Sequence, residues 1–167
     1  MSEQAPQTAF RSYPKQKHKD GLGTLALSAA CPCRSEEPNS KTYGECCGLW
    51  HQGLQASPQR VAPTVEALMR SRYSAYALKL GGYLLATWYR ETSPGDIDFP
   101  PTKWLGLDVK SSAQSGDVGV VEFVARYRDS MGRAGRIEET SRFVREGAGD
   151  AARWYYIDGI VDAEPPS

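Results

Sequence analysis

Histidine is scarce in this chain and cysteine is confined. Of 167 residues two are histidine, His18 and His51, and all four cysteines lie between positions 31 and 47. Chemistry that pairs a histidine with a distant nucleophile therefore has little to draw on, and no nucleophile elbow, phosphate-binding glycine loop or dinucleotide fingerprint is present. Charge of one sign is also lacking. Lys and Arg total 20 and Asp and Glu total 20, so no uniform field draws the chain to nucleic acid or to an anionic membrane. No apolar run approaches the roughly 18 residues of a membrane span. The expectation is a soluble, cytoplasmic protein with neither nucleic acid nor membrane as partner.

Residues 1–28 read as a disordered polar tail. Lys15, Lys17 and Lys19 ahead of GLGTLALSAA and Cys31 loosely imitate a lipoprotein signal. Gly21, Gly23, Thr24 and Ser28 break that stretch, and the alternative is a tail ending in a docking segment. Beyond the cysteines the composition changes at Ala62-Pro63-Thr64. Thr64 can cap a helix, and Val65, Leu68, Met69, Tyr73, Tyr76 and Leu80 follow at helical spacing, which predicts a helix over 63–80 ended by Gly81-Gly82. Tyr83 to Arg90 reads as a second, shorter helix. After Pro101, WLGLDVKSS, VGVVEFVARYR, RIEETSRFVR and RWYYIDGIV alternate β-branched and aromatic residues between glycine turns and predict a four-stranded antiparallel meander. Helices first and strands afterwards is an α+β pattern, with the helices on one face of the sheet.

What remains is CPCRSEEPNSKTYGECC, residues 31–47. A Cys-x-Cys pair and an adjacent pair are poor disulfide partners within themselves. Two bridges across the loop, four free thiols, or four thiolates around one tetrahedral zinc all stay open on spacing alone. Here CPC, Ser35, Tyr43 and CC together resemble the SEC-C zinc motif. The resemblance implies one structural Zn2+ on Cys31, Cys33, Cys46 and Cys47, with His51 close enough to replace one cysteine or simply to pack beside the site. The loop is longer than the motif's, and RSEEPNSK stands where a glycine-and-lysine stretch is usual, so Glu36 and Glu37 speak against a partner that reads a basic surface. The two negative charges of a four-thiolate site call for compensation, expected from backbone N–H groups with Arg34 or Lys41.

Behind that motif, TVEALMRSRYSAYAL, GYLLATWY, WLGLDV, VEFVARYR, ETSRFVR and RWYYIDG resemble, in this order, the YchJ-like bacterial proteins. The similarity implies a zinc knuckle over 29–55 and a nuclear-transport-factor-2-like (cystatin-like) cone over 62–162, helices on a curved antiparallel sheet. Few apolar residues lie in 31–61, chiefly Leu49, Trp50 and Leu54. The knuckle is therefore expected to depend on its metal while the cone keeps a core of its own.

Polar residues that interrupt apolar faces mark the candidate pocket: Arg72 and Tyr76 on the helix, Glu122, Glu139, Ser141 and Asp158 on the strands. One reading is a polar pocket with Arg72 as anion holder and a carboxylate as base. The other is an ion pair between Arg72 and a carboxylate that fixes helix to sheet. Two functions follow, a zinc-stabilised accessory module that docks on a protein partner or dimerises, and a small-molecule binder or enzyme that uses the cone pocket.

Overall fold

The computed structural model describes residues 25–38 and 40–161. The expected tail lies outside the described residues up to position 24, whereas Leu25 packs against the core. Two short 3-10 turns, Pro32–Arg34 and Tyr43–Glu45, lead into α1, Cys47–Gly53. Then come α2, Val65–Leu78, and α3, Gly81–Ala86. Four strands complete the chain: β1, Lys103–Ser115, β2, Val118–Arg128, β3, Ala134–Glu146, and β4, Arg153–Val161. They form one sheet in the order β1-β2-β3-β4, every neighbouring pair antiparallel. No described helix is long and apolar enough to cross a membrane.

Helix α2 begins where the sequence indicates, with the Thr64 hydroxyl accepting the Ala67 N–H at 3.1 Å. It stops earlier than Gly81-Gly82. Lys79 takes the left-handed conformation (φ 60°, ψ 43°), and its N–H reaches back to the carbonyls of Ala75 and Tyr76. That reversal sends Leu80 into the core, and the two glycines open α3 instead of closing α2. Helix α3 in turn is shorter than Tyr83–Arg90, because Thr87 to Tyr89 leave it to pair with β4. The Tyr89 N–H donates to Tyr156 O at 2.7 Å and the Tyr156 N–H to Thr87 O at 2.9 Å.

The helices pack on the inner face of the sheet, where Val121, Phe123, Ala125, Phe143 and Trp154 meet Val65, Leu68, Met69 and Tyr73. Gly119 lets α2 come this close: a Cβ there would lie 2.6 Å from Val65 Cγ1. Register shifts in β1, between Trp104 and Gly106 and between Val109 and Ser111, bend the sheet. A third lies between β3 and β4. Arg142 faces Asp158 but Phe143 faces Tyr156, so one extra residue, Ile157, enters β4.

Glycine at position 79 would remove the Cβ clash of the left-handed conformation, and Lys79→Gly is expected to raise the unfolding free energy by roughly 0.5–1 kcal/mol. The β-branched Lys79→Val should lower it. Denaturant titration of both variants reads the two signs, and a destabilised glycine variant would contradict this account of the α2 terminus.

Candidate metal centre

The chain around the cysteines folds back on itself. The Cys31 N–H donates to Lys41 O at 3.1 Å and the Tyr43 N–H to Ala29 O at 2.7 Å, while Thr42 caps the second turn by accepting the Glu45 N–H at 3.3 Å. This carries Cys46 and Cys47 to Cys31 and Cys33. The four Sγ atoms lie within 4.8 Å of one another, with Cys31 to Cys33 at 3.8 Å and Cys33 to Cys46 at 3.6 Å. None of the four is joined in a disulfide. A zinc with sulfur ligands at about 2.3 Å has tetrahedral edges of about 3.8 Å, so these sulfurs fit the corners of a thiolate site for such an ion.

Packed this tightly, the thiols cannot all ionise without a cation. Cys46, hydrogen-bonded by Cys31 and Cys33, is held far below its ordinary value, Cys33 is pushed far above through its hydrogen bond with Cys31, and burial pushes Cys47 up. The surroundings already carry positive charge. Arg34 Nε donates to Cys46 Sγ at 3.4 Å, and Arg70 Nη1, from α2, points at Cys33 Sγ from 3.8 Å and donates to Cys33 O at 3.1 Å. Arg34 is one of the two compensators expected. Lys41 is exposed and contributes its carbonyl, and Arg70 takes the second place. Glu37 then joins the two arginines, at 2.8 Å to Arg34 and 3.2 Å to Arg70, and Glu36 pairs with Arg126 on β2. The acidic residues of the loop thus neutralise arginines and hold the knuckle to the domain.

His51 stands outside the four-sulfur group. It is 2% exposed, its Nε2 lies 2.8 Å from Ser71 O and its Nδ1 2.6 Å from the Tyr43 hydroxyl. A carbonyl only accepts, so Nε2 carries the proton and Nδ1 accepts from Tyr43. The histidine ties α1 to α2, and its edge packs on Tyr83. Cys31, Cys33, Tyr43 and Cys47 also share one core cluster with Val65, Leu68, Met69 and Tyr73. The knuckle and the cone are therefore not separate cores, contrary to the expectation from composition, because the sulfurs themselves and Tyr43 supply the apolar surface that aliphatic residues lack.

Of the pocket candidates, Arg72, Tyr76, Glu139 and Ser141 line one cavity of about 240 Å³ between α2 and the sheet. Glu122 and Asp158 do not. In β2 the odd positions Val121, Phe123 and Ala125 face the core, which turns Glu122 outward beside Ser111. Asp158 is turned out by the extra residue in β4, and it binds Arg142 through two hydrogen bonds of 2.7 and 2.8 Å. Arg72 makes no ion pair among the described residues. Its Nη1 donates to Leu84 O at 2.9 Å and to the Thr87 hydroxyl at 2.7 Å, and its guanidinium lies over Trp88 and Tyr156. Tyr156 and Trp104, which also line the cavity, are functional candidates that strand patterning alone does not separate from ordinary core aromatics.

Residues 64–159 match the family described as YchJ, middle NTF2-like domain. A UPF0225 protein of Ralstonia nicotianae is 49% identical over 148 residues, covering 83% of this chain and 95% of that protein. Another, of Cupriavidus metallidurans, is 50% identical over 135 residues, 78% and 88% of the two chains. Among solved structures, a SEC-C motif containing protein from Psychrobacter arcticus has a TM-score of 0.66 at 28% identity, covering 84% of this chain and 87% of that one. A second, from Rhodopseudomonas palustris, has a TM-score of 0.64 at 36% identity, covering 79% and 98%. A cysteine-rich knuckle docked on an NTF2-like α+β domain, with relatives of this similarity over most of its length, makes the chain a member of the YchJ-like UPF0225 family.

Proposed function

We propose that the four cysteines hold one Zn2+, that the metal is structural, and that the chain serves as an accessory protein acting by docking on another protein. The observation that carries this reading is the convergence of four sulfurs within 4.8 Å of one another beneath two arginines that offset the charge of a four-thiolate site. Four sulfur donors fill a tetrahedral zinc and leave no position for a reacting water. What such a metal supplies is rigidity. Here the rigidity is spent on α2, which receives Arg70, Ser74 and Ser71 contacts from the knuckle. Unpaired cysteines also suit a reducing compartment, and the cytoplasm is the proposed location.

Native mass spectrometry of protein purified under reducing conditions is expected to find one zinc per chain, and a substoichiometric amount in each single Cys→Ser variant. A wild type holding two disulfides and no zinc would overturn the site. Zinc content should be unchanged in His51→Ala. That variant should instead lose about 2–4 kcal/mol of stability, since it deletes a packed ring and leaves Tyr43 and Ser71 without it; loss of zinc in His51→Ala with retention in Cys47→Ser would give the fourth ligand position to the histidine.

Because the sulfurs share the core of α2, chelation is expected to lower the melting temperature of the whole domain, not only that of the knuckle. Near-ultraviolet circular dichroism follows the packed aromatics during the titration. An unmoved domain transition after complete zinc removal would show the two parts to be energetically separate. For the docking role, proteins captured from a reduced lysate by the wild type are compared with those captured by Cys33→Ser, and an interaction that depends on the knuckle is expected to be lost in the variant.

A further inference from the structure

Arg72 is the least explained charge in the fold. It is 5% exposed and lines the cavity between α2 and the sheet. Leu84 O and the Thr87 hydroxyl occupy Nη1, and the guanidinium carbon sits 4.7 Å from the Trp88 ring centre and 4.4 Å from that of Tyr156. The rest of the fork, Nε–H and Nη2, meets no carboxylate or carbonyl among the described residues. The Tyr76 hydroxyl, itself part of the cavity wall, accepts a hydrogen bond from the guanidinium.

Glu139 enters the same cavity from β3. Its Oε2 accepts from the Ser141 hydroxyl at 2.7 Å and from the Tyr156 hydroxyl at 3.2 Å. Gly159, opposite Ser141 in the β3–β4 register, makes this possible: a Cβ at 159 would overlap the carboxylate. Tyr156 therefore sets the spacing, its ring under the guanidinium and its hydroxyl on the carboxylate. Arg72 and Glu139 line the same cavity and make no ion pair with each other among the described residues.

The two charges oppose each other, and this limits the ligand. An anion drawn by Arg72 meets Glu139, and a cation drawn by Glu139 meets Arg72. A neutral group that accepts from one and donates to the other satisfies both. The walls are aromatic, with Tyr73 edge-on to Trp104 at 5.7 Å and Phe143 edge-on to Tyr156 at 5.9 Å, which favours a flat body. A volume of about 240 Å³ holds on the order of ten non-hydrogen atoms at roughly 20–30 Å³ each.

We propose that this cavity binds a small, neutral, planar heteroaromatic with adjacent C=O and N–H groups on one edge, a lactam of one or two fused rings, its carbonyl accepting from Arg72 and its N–H donating to Glu139. The site is independent of the metal centre in its chemistry and lies on the opposite side of α2.

The probe is 2-quinolone, set against 2-naphthoate and 2-naphthylmethylammonium, which keep the flat body and carry a charge. Binding to the full, zinc-loaded chain is followed by the Trp104 indole N–H signal in a proton–nitrogen correlation spectrum. Saturable shifts are expected with the lactam, and binding at least about tenfold weaker with either charged probe. Loss of a hydrogen bond to a charged group predicts about 10- to 100-fold weakening in Glu139→Gln and in Arg72→Met. Ala125→Leu fills the cavity without touching either charge and should abolish binding while the spectrum stays that of a folded protein. Gly159→Ala should weaken binding by displacing the carboxylate, and these two variants carry the test should Arg72→Met not fold. Tighter binding of the naphthoate than of the lactam would overturn the proposal in favour of an anion site. Equal binding of all three probes, or no shift of Trp104 with any of them, would overturn it as well.

Discussion

Everything in this fold is arranged around a helix that is buried on nearly every side. Residues 68–75 of α2 are all buried, polar and apolar alike. An ordinary amphipathic helix keeps one face in water. Here the face opposite the sheet is covered by the knuckle and α3, so each polar side chain on it must find a partner inside the protein. Ser71 does so through Leu68 O and the Tyr83 hydroxyl. Ser74 lies beside Cys31 Sγ, 3.7 Å away, and Arg70 takes Glu66, Glu37 and the Cys33 carbonyl.

The two arginines show how differently burial is resolved on the two sides of one helix. Residues two apart project about 200° from each other, so Arg70 faces the sulfurs and Arg72 the sheet. Burial is the largest single influence on Arg70 and pulls its value down, yet the hydrogen bonds to Glu66 and to Cys33 together outweigh it, so its proton is held more firmly than usual. Arg72 has no counter-ion among the described residues, and burial pulls its value down. Carbonyl, hydroxyl and aromatic faces solvate it in place of a carboxylate. Such an arrangement is costly relative to a packed methionine.

Most of the secondary structure was legible in the sequence because it rests on period and punctuation. Thr64 marks the start of α2, and the four runs after Pro101 match β1 to β4 to within a few residues at each end. The discrepancies have local causes. Lys79 in a left-handed conformation replaced the glycine pair as a terminator, since a lysine carries no sequence mark of that role. Strand alternation alone puts Asp158 on the inner face with Trp154 and Tyr156, but it has no memory of an inserted residue, and the extra Ile157 turns everything beyond it to the other face. Arg70 carries no mark of its place at the metal centre, because it falls on the side of α2 that helical patterning assigns to solvent. Nothing in the local sequence says that a cysteine loop will cover it.

The same covering explains why knuckle and cone share a core that composition does not reveal. Composition places few aliphatic residues in 31–61, which reads as a segment unable to share a core. Cys31, Cys33 and Cys47 are at most 1% exposed and Tyr43 2%, and they contact the side of α2 that carries Arg70 and Ser74 while Met69, Arg72, Tyr73 and Tyr76 meet the sheet and its cavity. One helix diameter, roughly 10 Å, therefore separates the sulfurs from the cavity. On the side of the sulfurs the helix lies in a shared buried core, and close packing there transmits displacement rather than absorbing it. A change of occupancy at the sulfurs that shifts α2 must also move Arg72 relative to Glu139, which is fixed to the sheet by Ser141 and Tyr156. Any such coupling is reciprocal in free energy, so what binds at one side of α2 biases the affinity of the other by the same factor.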